Sequence, residues 1–271
     1  MRLVKNNIKM KETIRRSREK HPGKSSTDYR LDISTPLCKT VISTLNEKPL
    51  HEALKHWYAR HGDTIEASID GFIVDIVRDS LLIEIQTRNF AAIRRKLTKL
   101  SVNHPVRLVY PIPSEKWITR LADDGESIIS HRRSPKRGAF VDVFNELVYL
   151  PGLLQNPNFS IELLLIREEE VRRYDGIRGW RRRGWVTQER RLLKVVGRQM
   201  LETPADMYVF IPSTLEEPFT VTDLAASVAI TRRLAQKMVY CLRLMGCIAP
   251  AGKRGHSVLY IRQKTNTALR R

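Results

Sequence analysis

The 271-residue chain has only three cysteines, Cys38, Cys241 and Cys247. Three scattered thiols make neither a disulfide framework nor a zinc cluster, so stapled secreted scaffolds and zinc modules are excluded and a reducing compartment is expected. No apolar run approaches the roughly 18 residues that span a bilayer. The opening stretch, MRLVKNNIKMKETIRRSREK, is basic and has no apolar h-region, so it does not read as a secretory signal. These absences predict a soluble cytoplasmic protein with no membrane partner. There is no internal repeat. Negative charge is also scarce, with 29 acidic residues against 48 Lys and Arg, a net charge of +19. A field of that size and sign attracts polyanions, and nucleic acid is the commonest inside a cell. DNA is the first expectation and RNA the second, with a nucleoid-associated position if the source is bacterial. A ribosome-associated or membrane-surface protein would carry similar charge. The hydrophobic content of 42% is ordinary for a chain with a real core.

The chain divides by pattern into five stretches. Residues 1–35 are polar and basic and read as a flexible arm. Residues 36–125 carry strong apolar periodicity. Residues 126–204 form a basic middle segment containing SHRRSPKRG, the strand-like FSIELLLI and the Arg/Trp-rich DGIRGWRRRGWVTQERR. Residues 205–263 have the rhythm of a small helical domain ending in a hairpin, and 264–271 is a basic tail.

Residues 46–61 place Leu50, Leu54, Trp57 and Tyr58 on one helical face. The next stretch, GDTIEASIDGFIVDIVRDSLLIEIQT (62–87), alternates with period two. Asp70-Gly71 is a strong two-residue hairpin signal and Asp79-Ser80 a weaker one. Two-residue turns at both places set Glu66 opposite Asp75 and Asp75 opposite Glu84. The result is one row of carboxylates across a three-stranded meander. The other face (Ile65, Ala67, Ile69, Phe72, Val74, Ile76, Leu81, Ile83 and Ile85) is wholly apolar and predicted to be core. Like charges facing each other across strands are destabilising, and a hard divalent cation would neutralise them. A solvated acidic sheet face is the plainer reading. Against it, Ile73, Val77 and Leu82 share the acidic face, and the chain is otherwise basic.

The order of helix, strand, Asp-bearing strand, Glu-x-Gln strand, basic helix and strand resembles the core of the PD-(D/E)XK nuclease superfamily over about residues 46–113. The resemblance implies an α/β, restriction-endonuclease-like fold, a mixed sheet with flanking helices. It also implies that Asp75 and Glu84 bind Mg²⁺ or Mn²⁺ for phosphodiester hydrolysis. Gln86 stands where the superfamily usually has Lys, and Gln cannot supply that charge. Lys96, flanking the Phe90/Ile93/Leu97/Leu100 stripe of the next helix, is the candidate substitute, with a solvated lysine touching phosphate as the alternative. Where the superfamily often has a Glu on its first helix, Glu52 matches by position but points away from the core. Glu66 is better placed by the strand pairing. The strand VRLVYPIP (106–113) is expected to complete the sheet.

The last block begins a helix near Thr222, its expected N-cap, and a second helix after Thr231 that ends at Gly246. Leu234, Met238, Cys241, Leu242 and Met245 make the buried stripe of that second helix. Arg232, Arg233, Gln236 and Lys237 lie where a recognition helix reads base edges. Gly252-Lys253-Arg254-Gly255 reads as a basic wing tip. The block resembles winged-helix DNA-binding domains, which implies a small α+β domain joined to the nuclease-like core. In the middle segment Arg181, Arg182 and Arg183 suit phosphate contact. Trp180 and Trp185 read equally as base-stacking groups or as core anchors. The expected function is a metal-dependent DNA endonuclease-like phosphodiesterase. The alternatives are an inactive DNA-binding regulator on a degenerate nuclease fold and an RNA-binding or RNA-processing factor.

Overall fold

The structure is a computed structural model and describes residues 49–177 and 180–263. The predicted arm (1–35), the tail (264–271), Cys38 and the side chain of Trp180 lie outside the described residues. The fold is mixed α/β, a seven-stranded mixed sheet flanked by helices.

Helix α1 (Pro49–Tyr58) leads into the edge meander β1 (Thr64–Ile69), β2 (Phe72–Arg78) and β3 (Leu81–Ile85). Both predicted registers are present: Ile65 faces Ile76, Ala67 faces Val74, and Ile76 faces Ile83. Helix α2 (Phe90–Asn103) then crosses over to β4 (Val106–Leu121), which pairs parallel with β3. Phe90, Leu97 and Leu100 of α2 are buried, as the apolar stripe requires, with Ile93 at its edge. Asn89 at the α2 N-cap makes no side-chain cap. The Phe90 amide instead donates to Glu146 at 3.0 Å from the short helix α3 (Phe144–Leu147), satisfying one of the orphan donors of a helix start.

The sheet does not end at residue 113. Pro111 and Pro113 read as the end of a strand because proline cannot donate to a ladder, yet β4 runs on to Leu121. The middle segment is therefore built into the same sheet. Strand β5 (Ile128–Arg133) pairs with the far half of β4, β6 (Phe159–Tyr174) lies parallel beside the full length of β4, and β7 (Trp185–Leu201) returns antiparallel along β6. A boundary near residue 125 cuts through this sheet. The near half of the sheet contains β1-β2-β3-β4-β6-β7 and the far half β5-β4-β6-β7.

Helix α1 covers one face through Leu50, Leu54 and Tyr58, which pack on Ile76, Ile83, Ile85, Val109, Leu164 and Ile166. Trp57, predicted to share that face, is 37% exposed and is covered instead by the Arg198 guanidinium, 4.6 Å from its ring centre. Helices α2 and α3 cover the other face. The apolar face of the meander is divided between these two layers, with Ile76, Ile83 and Ile85 toward α1 and Ile69, Phe72 and Val74 toward α2. Edge hairpins twist strongly, so the two ends of one face look at different helices.

The C-terminal block forms α4 (Val221–Val228), α5 (Arg232–Leu244) and the hairpin β8 (Ile248–Arg254) and β9 (Ser257–Arg262). Its core is continuous with the α2 layer. The N-cap of α4 is Thr220, not Thr222. Thr220 and Asp223 form a reciprocal capping box, with Asp223 supplying the acid three residues on. Thr231 caps α5 and Gly246 follows it at φ +74°, both as expected. The hairpin turns at Gly255–His256, and Gly252 belongs to β8, paired with Leu259 just past a register shift at Ala251.

Candidate functional site

Strands β2 and β3 are paired from Arg78↔Leu81 to Ile76↔Ile83, and the opposite edge of β3 pairs in parallel with β4 from Leu82 to Ile85. On the β2 edge of β3 the ladder stops before Asp75 and Glu84, while the other edge stays paired with β4 through Ile85. The Asp75 carboxylate fills the gap by accepting the Ile85 amide through Oδ2 at 2.7 Å. The same oxygen meets His51 Nε2 of α1 at 3.2 Å. From the other layer, Lys96 of α2 extends over the sheet and donates to Glu84 Oε2 at 2.5 Å and to the Ile73 carbonyl at 2.6 Å. The lysine predicted to lean back toward the acids thus reaches Glu84.

The electrostatics separate the two carboxylates. Burial pushes Asp75 up, but the His51 hydrogen bond and charge, the Ile85 amide and the Lys96 charge outweigh it and hold its pKa below the usual value. Glu84 is raised to about 7 by burial first and then by the charge of Asp75, with Lys96 offsetting only part of both. Lys96 and His51 together do not offset the burial and mutual repulsion of the two acids at Glu84. Asp75 Oδ1 and Glu84 Oε1 have no partner among the described residues, and neither is sealed from solvent. Two free carboxylate oxygens suit a hard divalent cation, which completes its shell with water and phosphate oxygens rather than with further side chains. No group of three or more His, Cys, Asp or Glu among the described residues is arranged to hold a metal. A site here would rest on two protein carboxylates.

Two predicted residues stand elsewhere. Glu66 has a left-handed backbone (φ +54°), and its carboxylate accepts from Lys55 of α1 at 2.6 Å. It anchors α1 instead of completing an acidic row. Gln86 donates its side-chain amide to the carbonyls of Arg88 and Asn89, so it braces the turn into α2 and does not stand in for Lys. Glu52 is half exposed beside His56, away from the core as expected.

His51 and Lys55 were missed in the sequence. With Tyr58 they form an i, i+4, i+7 stripe beside the apolar one, and each meets an acid on a different strand: Asp75 on β2, Glu66 on β1 and Glu162 on β6. A polar stripe with helical spacing next to a core stripe is the signal that could have found them.

The predicted nucleic-acid contacts are dispersed. Arg181, Arg182 and Arg183 lie exposed in the turn between β6 and β7, where Arg182 also bonds Glu170 and Thr187. Gly184, at φ +82°, completes that turn, and a Cβ there would lie 2.6 Å from the Tyr174 ring. Trp185 is held edge-on to Tyr174 with Arg120 over its face, which is an anchor's environment. In the C-terminal block Arg232, Arg233, Gln236 and Lys253 are exposed and Arg254 pairs with Asp223. Lys237 is tied to Asn145 at 3.0 Å, so it is engaged with the body of the protein. Among the described residues no helix is long and apolar enough to cross a membrane.

Residues 48–202 match a family described as a domain of unknown function, DUF8091. The match runs from the start of α1 to the end of β7 and so contains the whole large sheet and the acid–lysine group. An uncharacterized protein of Treponema pallidum (strain Nichols) is 31% identical over 222 residues, covering 81% of this chain and 87% of the relative. No solved structure matches.

Proposed function

The chain belongs to the DUF8091 family, and we propose that its domain is a metal-dependent phosphodiesterase of the PD-(D/E)XK type acting on nucleic acid, DNA in the first instance. The observation that carries this reading is Lys96, which brings an ammonium group to Glu84 from α2 when position 86, just past β3, holds no lysine. Asp75 and Glu84 would hold Mg²⁺ or Mn²⁺ through their free oxygens. A bound divalent cation polarises a phosphoryl oxygen and lowers the pKa of an attached water.

The protein's own groups do the rest. His51 and the Ile85 amide fix Asp75 Oδ2 and leave Oδ1 available. Lys96 supplies a fixed positive charge next to the reacting phosphate, where preorganised charge counts for most. The C-terminal block, read as a winged helix, contributes Arg232, Arg233, Gln236, Lys253 and Arg254 to grip the strand. Arg181, Arg182 and Arg183 add phosphate contacts from the far end of the sheet.

The test is cleavage of plasmid, single-stranded and branched DNA, and of an RNA strand, in Mg²⁺ or Mn²⁺. Wild type is compared with Asp75→Ala and Lys96→Ala. Wild type should cut only with metal, and each variant should lose on the order of 10²-fold or more in rate while still binding. No metal-dependent cutting by wild type, with binding intact, would reject the enzyme in favour of a DNA-binding regulator. Cutting of RNA alone would reject DNA as the substrate.

A further inference from the structure

Between the start of α1, the turn after β3 and the first half of β7 lies a cavity of about 250 Å³ whose lining includes Leu50, Thr87, Arg88, Arg182, Glu189 and Arg190. Three guanidiniums face one carboxylate, a surplus of two positive charges. Arg88 and Arg190 have no acidic partner among the described residues. Arg182 is fixed by Glu170 and Thr187, and Glu189 is already paired with Arg191. Unpaired arginines that converge on a concavity are matched to a phosphate, which they can hold bidentately.

We propose that this cavity receives the terminal phosphate monoester of a nucleic-acid strand, so that the enzyme acts close to strand ends. The inference rests on the nucleic-acid reading above. Two features favour a terminal phosphate over one within the backbone. A monoester carries close to two negative charges at neutral pH, which balances the surplus of two, whereas a diester carries one. A monoester also has a single ester link, so it can enter a concave site from one side, while a diester must lead chain out in two directions. The position agrees. Leu50 adjoins His51, and Thr87 lies three residues beyond Glu84, at most about 10 Å along the backbone. That distance is about three nucleotide rises in a duplex, at roughly 3.4 Å each.

The experiment measures binding without metal, so it does not depend on cleavage. Oligonucleotides of one sequence are prepared with a 5′ phosphate, with a 3′ phosphate, or with hydroxyls at both ends. They are titrated against wild type and Arg88→Ala/Arg190→Ala, with inorganic phosphate and a mononucleotide as competitors. One phosphorylated strand should bind wild type at least tenfold more tightly than the hydroxyl-ended strand. The double variant should bind all three alike, with an unchanged melting temperature showing that it folds. Both competitors should weaken the preference only at concentrations far above that of the strand. Equal affinity for all three strands, or a preference that survives in the double variant, would overturn the pocket. So would a mononucleotide that competes as well as the strand. A phosphate preference in a protein that never cuts would leave the pocket standing and reject the phosphodiesterase.

Discussion

The two halves of the large sheet each bury two acids around one lysine, and they do opposite things with them. In the near half Lys96 serves Glu84 and Asp75, and Glu84 is left at about 7. In the far half Lys116 lies 2.8 Å from Glu168 and 3.0 Å from Glu170, and Arg172 and Arg182 join it on Glu170. Burial pushes Glu170 up, but hydrogen bonds from Lys116, Thr187 and Arg172 overcome it and bring it to about 2. Each cluster sets two acids around a lysine, but the far pair is the more deeply buried and has more cations on it. In the far cluster Glu170 is saturated and braces β4, β6 and β7, while Glu168, fully buried, has only the charge of Lys116 beside it and no hydrogen bond to either oxygen. The near cluster is short of positive charge, keeps two oxygens open and leaves Glu84 at about 7.

The contrast should break first in stability. Lys116→Ala strands the buried Glu168, which has no other cation, and is expected to cost about 3–5 kcal/mol. Lys96→Ala should cost only about 1–2 kcal/mol, because a Glu84 already near 7 can take up a proton instead. Urea denaturation measures both, and equal costs would erase the distinction.

The pH dependence comes next and has opposite signs in the two halves. Glu84 rises from 4.5 to about 7 on folding, so the folded state holds its proton more tightly. Stability should therefore fall as pH rises between about 4.5 and 7, by up to about 3 kcal/mol. Glu170 drops from 4.5 to about 2, so its contribution is complete above about 4.5. That contribution is lost as pH falls toward 2, again by about 3 kcal/mol. Glu84→Gln should flatten the first limb and Glu170→Gln the second, in denaturation curves taken across the pH range.

Mg²⁺ gives a smaller effect that separates the halves directly. At ten times its Kd it should add about 1.4 kcal/mol, roughly 3–5 °C in melting temperature. The shift should vanish in Asp75→Ala and persist in Glu170→Gln. Gln86→Lys should do least. Its side chain is committed to the turn before α2, so stability should change by no more than about 0.5 kcal/mol, and the substitution should not restore cutting to Lys96→Ala. Rescue would mean that position 86 does reach the site.

The meander was legible because its information is local. Two turn signals and strict alternation set the registers 64–77 and 76–83, and with them the neighbourhood of Asp75 and Glu84. The helical stripe of α2 likewise put Lys96 on a flank from which it reaches Glu84. Glu66 was misplaced because nothing in β1 announces a left-handed residue, and its partner Lys55 comes from another element. The far half was illegible for a different reason. The pairing of β4 with β6 joins residues about fifty positions apart, such as Val106 and Phe159, and periodicity carries no pairing information over that distance.

The stripe on α1 has a consequence for the order of assembly. Its three acid partners are reached at sequence separations of 24, 11 and 104 residues. The first two are satisfied once the meander forms, but Tyr58 must wait for Glu162, on a strand that in turn needs β4 beside it. Long-range pairing is slow because loop closure comes before its reward. Helix α1 therefore locks down late, although it is the earliest of the described elements in the chain. In pulsed hydrogen exchange during refolding, its amides should gain protection after those of β2 and β3. The residue that steadies Asp75 is then among the last to arrive.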